Sequence, residues 1–442
     1  MYRQKRYDQC IKEVKSKLKQ NPNSLHLLNY QAMAYSALKR EKEALLSYQK
    51  ITKAAPTLAG PYYNMGIILK RNERATEAID SYKKAISLKP DYVQAYNNLG
   101  VLYKDKEEYE DAIEMFMKAK ELQPNHQNSY YNLALIKKEQ GLNEQAIELL
   151  LKVLDFNPTH AEANFIKCQI MLKKHHMRTG WRHYEYRWKT SPQNEAIWPF
   201  QDKLMWKGER GKRVALWREQ GIGDDIIFLS LVPEVKEMCN MLSVYVDPRL
   251  QDLCKRSMPD INFVKDLEEL RDVECDYHLP LGSVPGLIRN DISDFDRTVK
   301  GYMKADPQRV ESIRNELKLE DKMVIGISWK SFNSLNNAKK SVQLKDMERI
   351  FSGLDVVLVN LQYGDVEDEI REFKAVTGID VVQCASVDNR EDLEGLAALI
   401  EVCDLVVSTS NVTVHMAGAL AKETWVLLHY VSIYYYISSY LM

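Results

Sequence analysis

The chain has 442 residues, of which 45% are hydrophobic and 28% charged, as in ordinary soluble globular proteins. At roughly 100–200 residues per domain, this length predicts about three domains. The formal net charge of -1 leaves no excess of Lys and Arg to release counterions, so neither nucleic acid nor an anionic membrane surface is expected as the main partner.

Targeting and metal-binding signals are not evident in the sequence. The N-terminal stretch is charged and has no apolar run of the signal-peptide type. The seven cysteines never form a C-x-x-C pair, so neither a zinc site nor a disulfide framework is expected. Residues 425–442 carry no Asp, Glu, Lys or Arg and approach the length of a membrane span, but they are rich in Tyr and Ser and begin as a core strand. We therefore expect a cytoplasmic protein with no metal and no membrane span.

Prolines recur every 34 residues through the first half of the chain, the length of a tetratricopeptide (TPR) repeat of two antiparallel helices. Each proline falls just after a helix that it cannot continue. The period predicts an α-helical TPR superhelix over residues 1–190, with a partial repeat at 1–24, full repeats over 25–160 and a degenerate cap at 161–190. The prolines are Pro22, Pro56, Pro90, Pro124 and Pro158, and small residues recur in register at Ala32, Gly66, Gly100 and Ala134 and at Ala44, Ala78, Ala112 and Ala146.

Asn64, Asn98 and Asn132 share one position on the first helix of three successive repeats. An asparagine amide both donates and accepts hydrogen bonds, so a row of asparagines can hold the backbone of an extended peptide. Since stacked repeats form a concave binding surface, we expect the array to recruit a protein or glycan acceptor there. The alternative is that asparagine is simply common at this position of TPR repeats.

Residues 191–320 no longer follow the 34-residue period and instead alternate strands with helices. Such alternation predicts a parallel sheet covered by helices, after a polar connector. The predicted strands are 213–217, 242–247, 261–264 and 277–280, and the principal helix is 225–239.

A second unit of the same kind is predicted over residues 321–442. Two Rossmann-type domains in tandem leave a cleft, and ligands of such sheets bind at the carboxyl ends of the strands. The predicted fold class is therefore a helical TPR superhelix followed by an α/β pair of Rossmann-type domains. The predicted strands of the second unit are 324–329, 356–361, 381–382, 405–407 and 425–428, and its helices are 343–352, 365–377, 391–402 and 412–421.

The first candidate site is the turn that contains Gly221 and Gly223 and ends at Asp224. A dinucleotide-binding fingerprint needs a third glycine where this chain has Ile226, which disfavours an NAD enzyme, although Asp247 ends the next strand near the place of a ribose-binding acid. A carboxylate at Asp224 could take a proton from an acceptor hydroxyl. The alternative is that Asp224 only caps the following helix.

The second candidate site follows the first strand of the second unit. Lys330 would supply a point charge to a phosphate, and Ser331 would supply a hydroxyl donor. Lys339, Lys340 and Ser341 follow on the same loop. The alternative is a solvated basic loop.

The third candidate site, residues 408–415, connects a buried strand to a helix. Backbone N–H groups and hydroxyls at a helix start make an anion site, to which His415 could add a donor. The alternative is an ordinary helix N-cap followed by a core histidine. The polar side chains of this site are Ser410, Asn411, Thr413 and His415, and Gln362 and Tyr363 in the remaining strand-end loop could hold a nucleotide base.

Three of these stretches together carry a family resemblance. They read EQGIGD at 219–224, GISWK at 326–330 and SNVTVHMAGAL at 410–420. In this combination the chain resembles bacterial TPR proteins with a heptosyltransferase-like C-terminal region, which has the GT-B glycosyltransferase fold, and its layout is similar to that of protein O-linked N-acetylglucosamine transferases. The resemblance implies that Asp224 is the catalytic base and that Ser410, Asn411 and His415 bind the donor diphosphate.

The chain departs from that family in two places. Ser410 or Asn411 stands where the family usually has a glycine in the turn. GT-B chains usually finish with a helix that returns to the first domain, and residues 430–442 show no such amphipathic pattern. The second Rossmann-type domain is therefore expected to be truncated at its end.

The leading hypothesis is an inverting, metal-independent glycosyltransferase that moves a sugar from a nucleotide-diphosphate donor to a hydroxyl. Positive groups such as Lys330 and helix-start amides would stabilise the leaving diphosphate, so no cofactor is expected beyond the nucleotide sugar itself. His278, also near a strand end, is the next candidate base after Asp224. The alternative is a TPR scaffold that binds proteins and carries a degenerate, inactive transferase domain.

Overall fold

The computed structural model describes residues 6–190, 198–200, 202–297, 301–319, 322–331 and 341–428. The chain divides into two compact units between Ala163 and Asn164. The predictions for Lys339, Lys340 and the segment 429–442 lie outside the described residues.

The first unit is a succession of antiparallel helix pairs that follow the predicted period. Gly66 and Gly100 lie where the two helices of a pair cross, because a Cβ atom built on them would lie 2.6 Å from the ring of Tyr82 and 2.7 Å from that of Phe116, respectively. The small and large residues of the repeat thus fit each other directly. The helices are α1 (Tyr7–Gln20), α2 (Leu25–Ala37), α3 (Glu41–Ala54), α4 (Ala59–Arg71), α5 (Ala75–Leu88), α6 (Val93–Asp105), α7 (Tyr109–Leu122), α8 (Gln127–Glu139) and α9 (Asn143–Phe156).

The degenerate cap is a further helix pair, α10 (Ala161–Lys173) and α11 (Met177–Tyr184). The turn between these helices keeps the repeat geometry, since His175 has the positive φ that Glu107 and Gly141 have in the preceding repeats. Its apolar side chains, however, belong to the hydrophobic core of the second unit. They are Cys168, Leu172, Met177, Trp181 and Tyr184.

A fragment of residues 6–163 is expected to fold alone, because its contacts are local and its core is its own. A fragment that ends at residue 190 is expected to self-associate, because Leu172 and Trp181 would become exposed to solvent. Exposing a large apolar side chain costs about 1.5–3 kcal/mol. Circular dichroism melting and size-exclusion chromatography compare the two. A disordered 6–163 fragment, or a monomeric 6–190 fragment that melts at a higher temperature, would contradict this division.

The first sheet of the second unit has five parallel strands in the order β1-β5-β2-β3-β4. From β2 onwards this is the order of a doubly wound Rossmann-type sheet, in which the chain direction across the sheet reverses between β2 and β5. The strands are β1 (Leu204–Met205), β2 (Lys212–Trp217), β3 (Cys239–Tyr245), β4 (Asn262–Phe263) and β5 (Tyr277–Pro280), with helices α12 (Ile222–Leu229), α13 (Val232–Met238), α14 (Gln251–Ser257), α15 (Leu267–Asp272) and α16 (Pro285–Ile288).

The second sheet is also parallel and has the order β10-β9-β6-β7-β8, with its reversal between β6 and β9. Helix α17 (Pro307–Leu317) precedes it. The α/β architecture predicted for this half of the chain is therefore present. The strands are β6 (Met323–Ser328), β7 (Val356–Asn360), β8 (Val381–Val382), β9 (Leu405–Thr409) and β10 (Thr424–Leu427), with helices α18 (Glu348–Phe351), α19 (Glu367–Thr377), α20 (Leu393–Val402) and α21 (Val412–Ala419).

Three local differences from the sequence predictions have simple causes. The predicted helix 225–239 is two helices, because Pro233 starts a new helix at its first turn. Strand β1 was not predicted, since two residues carry no periodicity. Most of the helix predicted at 343–352 is a 3-10 turn at Leu344–Met347 followed by the short α18.

Among the helices of the described residues, none is long and apolar enough to cross a membrane.

Both halves of the second unit contribute to one continuous core. Val214 and Val244 of the first sheet belong to the same buried cluster as Val324 and Val406 of the second. The linker between the two halves contacts both of them. The hydroxyl of Tyr302 donates to the carbonyl of Ile226 in α12, and the amide of Met303 donates to the carbonyl of Ala419 at the end of α21. Helices α12 and α21, which follow the reversal strands of their sheets, pack against each other.

Candidate active site at the strand ends

The glycine turn after β2 lies against the helix after β9. A Cβ atom built on Gly223 would lie 2.9 Å from Cδ2 and 3.5 Å from Nε2 of His415, so only glycine allows this approach. Asp224 is half-buried in the first turn of α12, and a Cβ atom on Gly221 would lie 3.4 Å from its Oδ2. The structure thus brings together Gly221, Gly223, Asp224 and His415, which come from the two Rossmann-type halves.

Arg187, just after α11, binds the segment that precedes this turn. Its guanidinium is 7% exposed and donates to Oε1 of Glu219 at 2.9 Å and to Oγ of Ser283 at 2.7 Å. Beside it the hydroxyl of Tyr184 and the side-chain amide of Gln220 hydrogen bond at 2.7–3.1 Å. The two residues that precede the glycine turn are therefore held by the helical cap. Sequence analysis did not predict these contacts, because Arg187 and Tyr184 resembled repeat residues.

A second ionic cluster joins the ends of β2 and β3. Arg218 lies 2.7 Å from Asp225 and 3.1 Å from Asp247, and it also donates to the carbonyl of Gln220. Burial raises the pKa of the Asp225 carboxyl to about 8 against the charge of Arg218, whereas the hydrogen bonds from Arg249 hold the pKa of Asp247 below its usual value despite its burial. A ribose-binding role for Asp247 would require these ion pairs to break.

Asn411 connects the two strands at the reversal point of the second sheet. Its Oδ1 accepts from the amide of Thr413 at 3.0 Å, so it caps α21. Its Nδ2 donates to Oγ of Ser328 at 2.7 Å and to the carbonyl of Lys330 at 3.1 Å. Asn411 therefore fixes the helix start relative to β6, as its N-cap interpretation expected, and Ser410 beside it remains half-exposed.

Gln362, just after β7, hydrogen bonds to the end of β6 and the loop that follows it. Its Oε1 accepts from Oγ of Ser328 and from the amides of Trp329 and Lys330 at 2.7–3.0 Å, and its Nε2 donates to the carbonyl of Tyr363. The side chain is 1% exposed. A contact of Gln362 with a nucleotide base would have to break these bonds, whereas Tyr363 is half-buried.

Lys330 forms an ion pair with Glu369 of α19, whose other oxygen accepts from Nε1 of Trp329 at 2.9 Å. The Lys330 side chain is 33% exposed. Ser331 is buried, and its amide donates to Oγ of Ser341 at 3.2 Å. The predicted phosphate lysine therefore has a carboxylate partner that sequence analysis missed, although acidic residues in the first turn of a helix that follows a strand are a recognisable signal.

His278 lies in an aromatic cluster rather than at a strand-end surface. Its Nδ1 accepts from Nε1 of Trp217 at 3.1 Å, and its ring contacts Trp198 and Phe200. The residue is fully buried, and burial lowers its pKa. As a substitute base, His278 would need this packing to open.

The three asparagines of the TPR array differ in their contacts. Nδ2 of Asn98 donates to the hydroxyl of Tyr63 at 3.3 Å, and Nδ2 of Asn132 donates to Oδ1 of Asn97 at 3.2 Å. Asn64 instead lines a groove of about 330 Å³. Two of the three side chains are therefore bonded within the array.

Comparison with known families confirms the repeats. The TPR repeat family matches residues 72–107, and the tetratricopeptide repeat family matches 93–126 and 127–160. These segments coincide with the helix pairs of the first unit. TPR arrays bind peptides or protein partners, which identifies the first unit as a protein-interaction domain.

One curated relative is Protein FlbA of Caulobacter vibrioides, which is 29% identical over 295 residues, covering 60% of this chain and 48% of FlbA. This chain thus spans about half the length of that relative. The matched part exceeds the length of the first unit, so the similarity extends into the α/β unit.

Several solved structures are similar to this chain over part of its length. MamA is 28% identical, covers 35% of this chain and 91% of its own, and has a TM-score of 0.34. YrrB, described as a TPR protein with an unusual peptide-binding site, is 19% identical, covers 41% and 94%, and has a TM-score of 0.35. PilF of Pseudomonas aeruginosa is 16% identical, covers 53% and 92%, and has a TM-score of 0.38.

Proposed function

We propose that this protein is a glycosyltransferase of the GT-B type that moves a sugar from a nucleotide-diphosphate donor to a hydroxyl of a protein or glycan acceptor. The observation that carries the proposal is the contact of Gly223 with His415. It joins the reversal point of one parallel sheet to that of the other, and reversal points at the carboxyl ends of strands are where such sheets bind ligands. The TPR array recruits the acceptor.

In this proposal Asp224 accepts the proton of the acceptor hydroxyl as its oxygen attacks the anomeric carbon. The bond from that carbon to the diphosphate breaks, and the electron pair leaves with the diphosphate. The start of α21, with Ser410, Thr413 and His415, stabilises the departing charge together with Lys330. A preformed N-terminus costs no reorganisation at the moment of reaction, and Asn411 preorganises it.

The proposal is tested by calorimetric titration of the full chain with UDP, GDP and ADP. Binding of one of them is expected, and the matching nucleotide sugars are then tried in a mass-spectrometric transfer assay. Failure of all three nucleotides to bind would overturn the proposal.

Lys330→Ala and His415→Ala are each expected to weaken nucleotide binding by about 1–3 kcal/mol, the range for a lost charge-assisted hydrogen bond. Glu369→Gln is expected to strengthen binding, because it removes the carboxylate that competes with the diphosphate for Lys330. Lys374→Ala, on the exposed side of the same helix α19, is the matched control. If Glu369→Gln weakens binding as much as Lys330→Ala does, the ion pair is only structural.

A second candidate function is a TPR scaffold with an inactive transferase domain. One observation favours it, since Gln362, Asn411 and Lys330 all have partners within the protein. Such a scaffold binds proteins through the first unit and binds none of the three nucleotides. The same titration therefore separates the two candidates.

A further inference from the structure

The groove in the first unit opens between α2, α3 and α4 and has a volume of about 330 Å³, within the range of ligand pockets. Both apolar and polar side chains line it. Met33, Ile67 and Ile68 are among the apolar ones, and Ser36, Asn64 and Arg71 are the polar and charged ones.

The array breaks its own hydrogen-bonding pattern at this groove. Asn98 and Asn132 each donate to the residue 35 positions earlier. The corresponding residue for Asn64 is Asn29, whose Nδ2 is directed at the sulfur of Met33 instead. Within the part of the chain that the structure describes, the Asn64 side chain has no hydrogen bond. An amide that can donate and accept therefore faces the groove.

The charge pattern breaks at the same place. One repeat further on, the corresponding positions hold Lys70 and Asp105, which form an ion pair at 3.3 Å. Here those positions hold Ser36 and Arg71, and the guanidinium donates to the serine hydroxyl at 2.9 Å. Arg71 also pairs with Glu41, but at 3.8 Å this ion pair is longer than that of Lys70 with Asp105, and the Arg71 side chain is 44% exposed. The lining of the groove therefore includes an exposed guanidinium that a second carboxylate can reach.

We propose that this groove binds an extended peptide segment in which an apolar side chain adjoins an Asp or Glu. Asn64 pairs with the peptide backbone, the apolar lining residues around Ile67 contact the apolar side chain, and Arg71 binds the carboxylate through its planar guanidinium. The inference deepens the proposed recruitment of a protein acceptor, and it requires no transfer chemistry.

The test begins with a phage-displayed library of random short peptides, selected on the full chain. Enriched peptides are expected to pair an apolar residue with Asp or Glu. A synthetic copy is then titrated by fluorescence anisotropy, and Asn64→Ala, Arg71→Ala and an Asp-to-Asn or Glu-to-Gln change in the peptide are each expected to weaken binding about tenfold or more. Arg74→Ala removes an exposed arginine that pairs with Glu77 and does not line the groove, so this variant is the matched control and is expected to change affinity less than about twofold.

Selection of no peptide would overturn the inference, and so would affinities that are unchanged by Arg71→Ala or lowered equally by Arg74→Ala. Nucleotide titration of Arg71→Ala is expected to match that of the unaltered chain. Peptide binding without nucleotide binding would support the groove and count against the transferase, whereas nucleotide binding without peptide binding would do the reverse.

Discussion

Asp224→Ala is expected to lower sugar transfer by about 10²–10⁴-fold, the contribution of a positioned general base, while nucleotide affinity changes little. The carboxylate lies in the first turn of α12, on the opposite half of the unit from the proposed diphosphate site at α21. A negative charge at Asp224 can accept the proton of the acceptor hydroxyl, whereas it would repel the diphosphate of the donor. Transfer assays and nucleotide titrations on the same preparation separate the two effects.

Asp224→Asn decides between a base and a structural role in the first turn of α12, whose N-cap is Gly221 and not Asp224 as the alternative interpretation expected. Asparagine keeps the shape and a hydrogen-bonding oxygen of the side chain, so a purely structural role predicts that this variant is nearly as active as the unaltered chain. A role as base predicts that it is nearly as inactive as the Ala variant. Normal turnover by Asp224→Asn would exclude Asp224 as the base.

The TPR array could be predicted almost completely from the sequence because its information is local and repeated. Successive repeats place a small residue on their first helix opposite a large ring on their second. Gly66 with Tyr82 and Gly100 with Phe116 form this contact. The end of the array was harder to predict. Trp181 keeps a place in the period, but its packing partners come from the second unit.

The location of the candidate site could also be predicted, because parallel strands gather their carboxyl ends at one edge. The partners of its residues could not. Glu369 reaches Lys330 from α19, and His415 reaches Gly223 across the two halves of the unit. Such contacts depend on how two sheets pack, and no local pattern in the sequence encodes that packing.

Arg187→Met is expected to lower the free energy of unfolding of the second unit by about 3–5 kcal/mol, the range for breaking a buried ion pair by removing one partner. Methionine retains most of the apolar stem but leaves Glu219, whose side chain is 4% exposed, without its guanidinium. All seven tryptophans lie in the second unit, so tryptophan fluorescence during urea unfolding reports on that unit alone.

Two further variants show whether the loss of stability comes from the buried Glu219 carboxylate that Arg187→Met leaves without a partner arginine. Arg213→Met removes an arginine from β2 that also has two acidic partners but is 37% exposed, so a much smaller loss is expected because solvent screens the pair. Adding Glu219→Gln to Arg187→Met removes the buried charge and is expected to restore part of the stability, because the two changes act on one contact. Equal losses for Arg187→Met and Arg213→Met, or no recovery in the double variant, would mean that the helical cap does not hold the glycine turn through this ion pair.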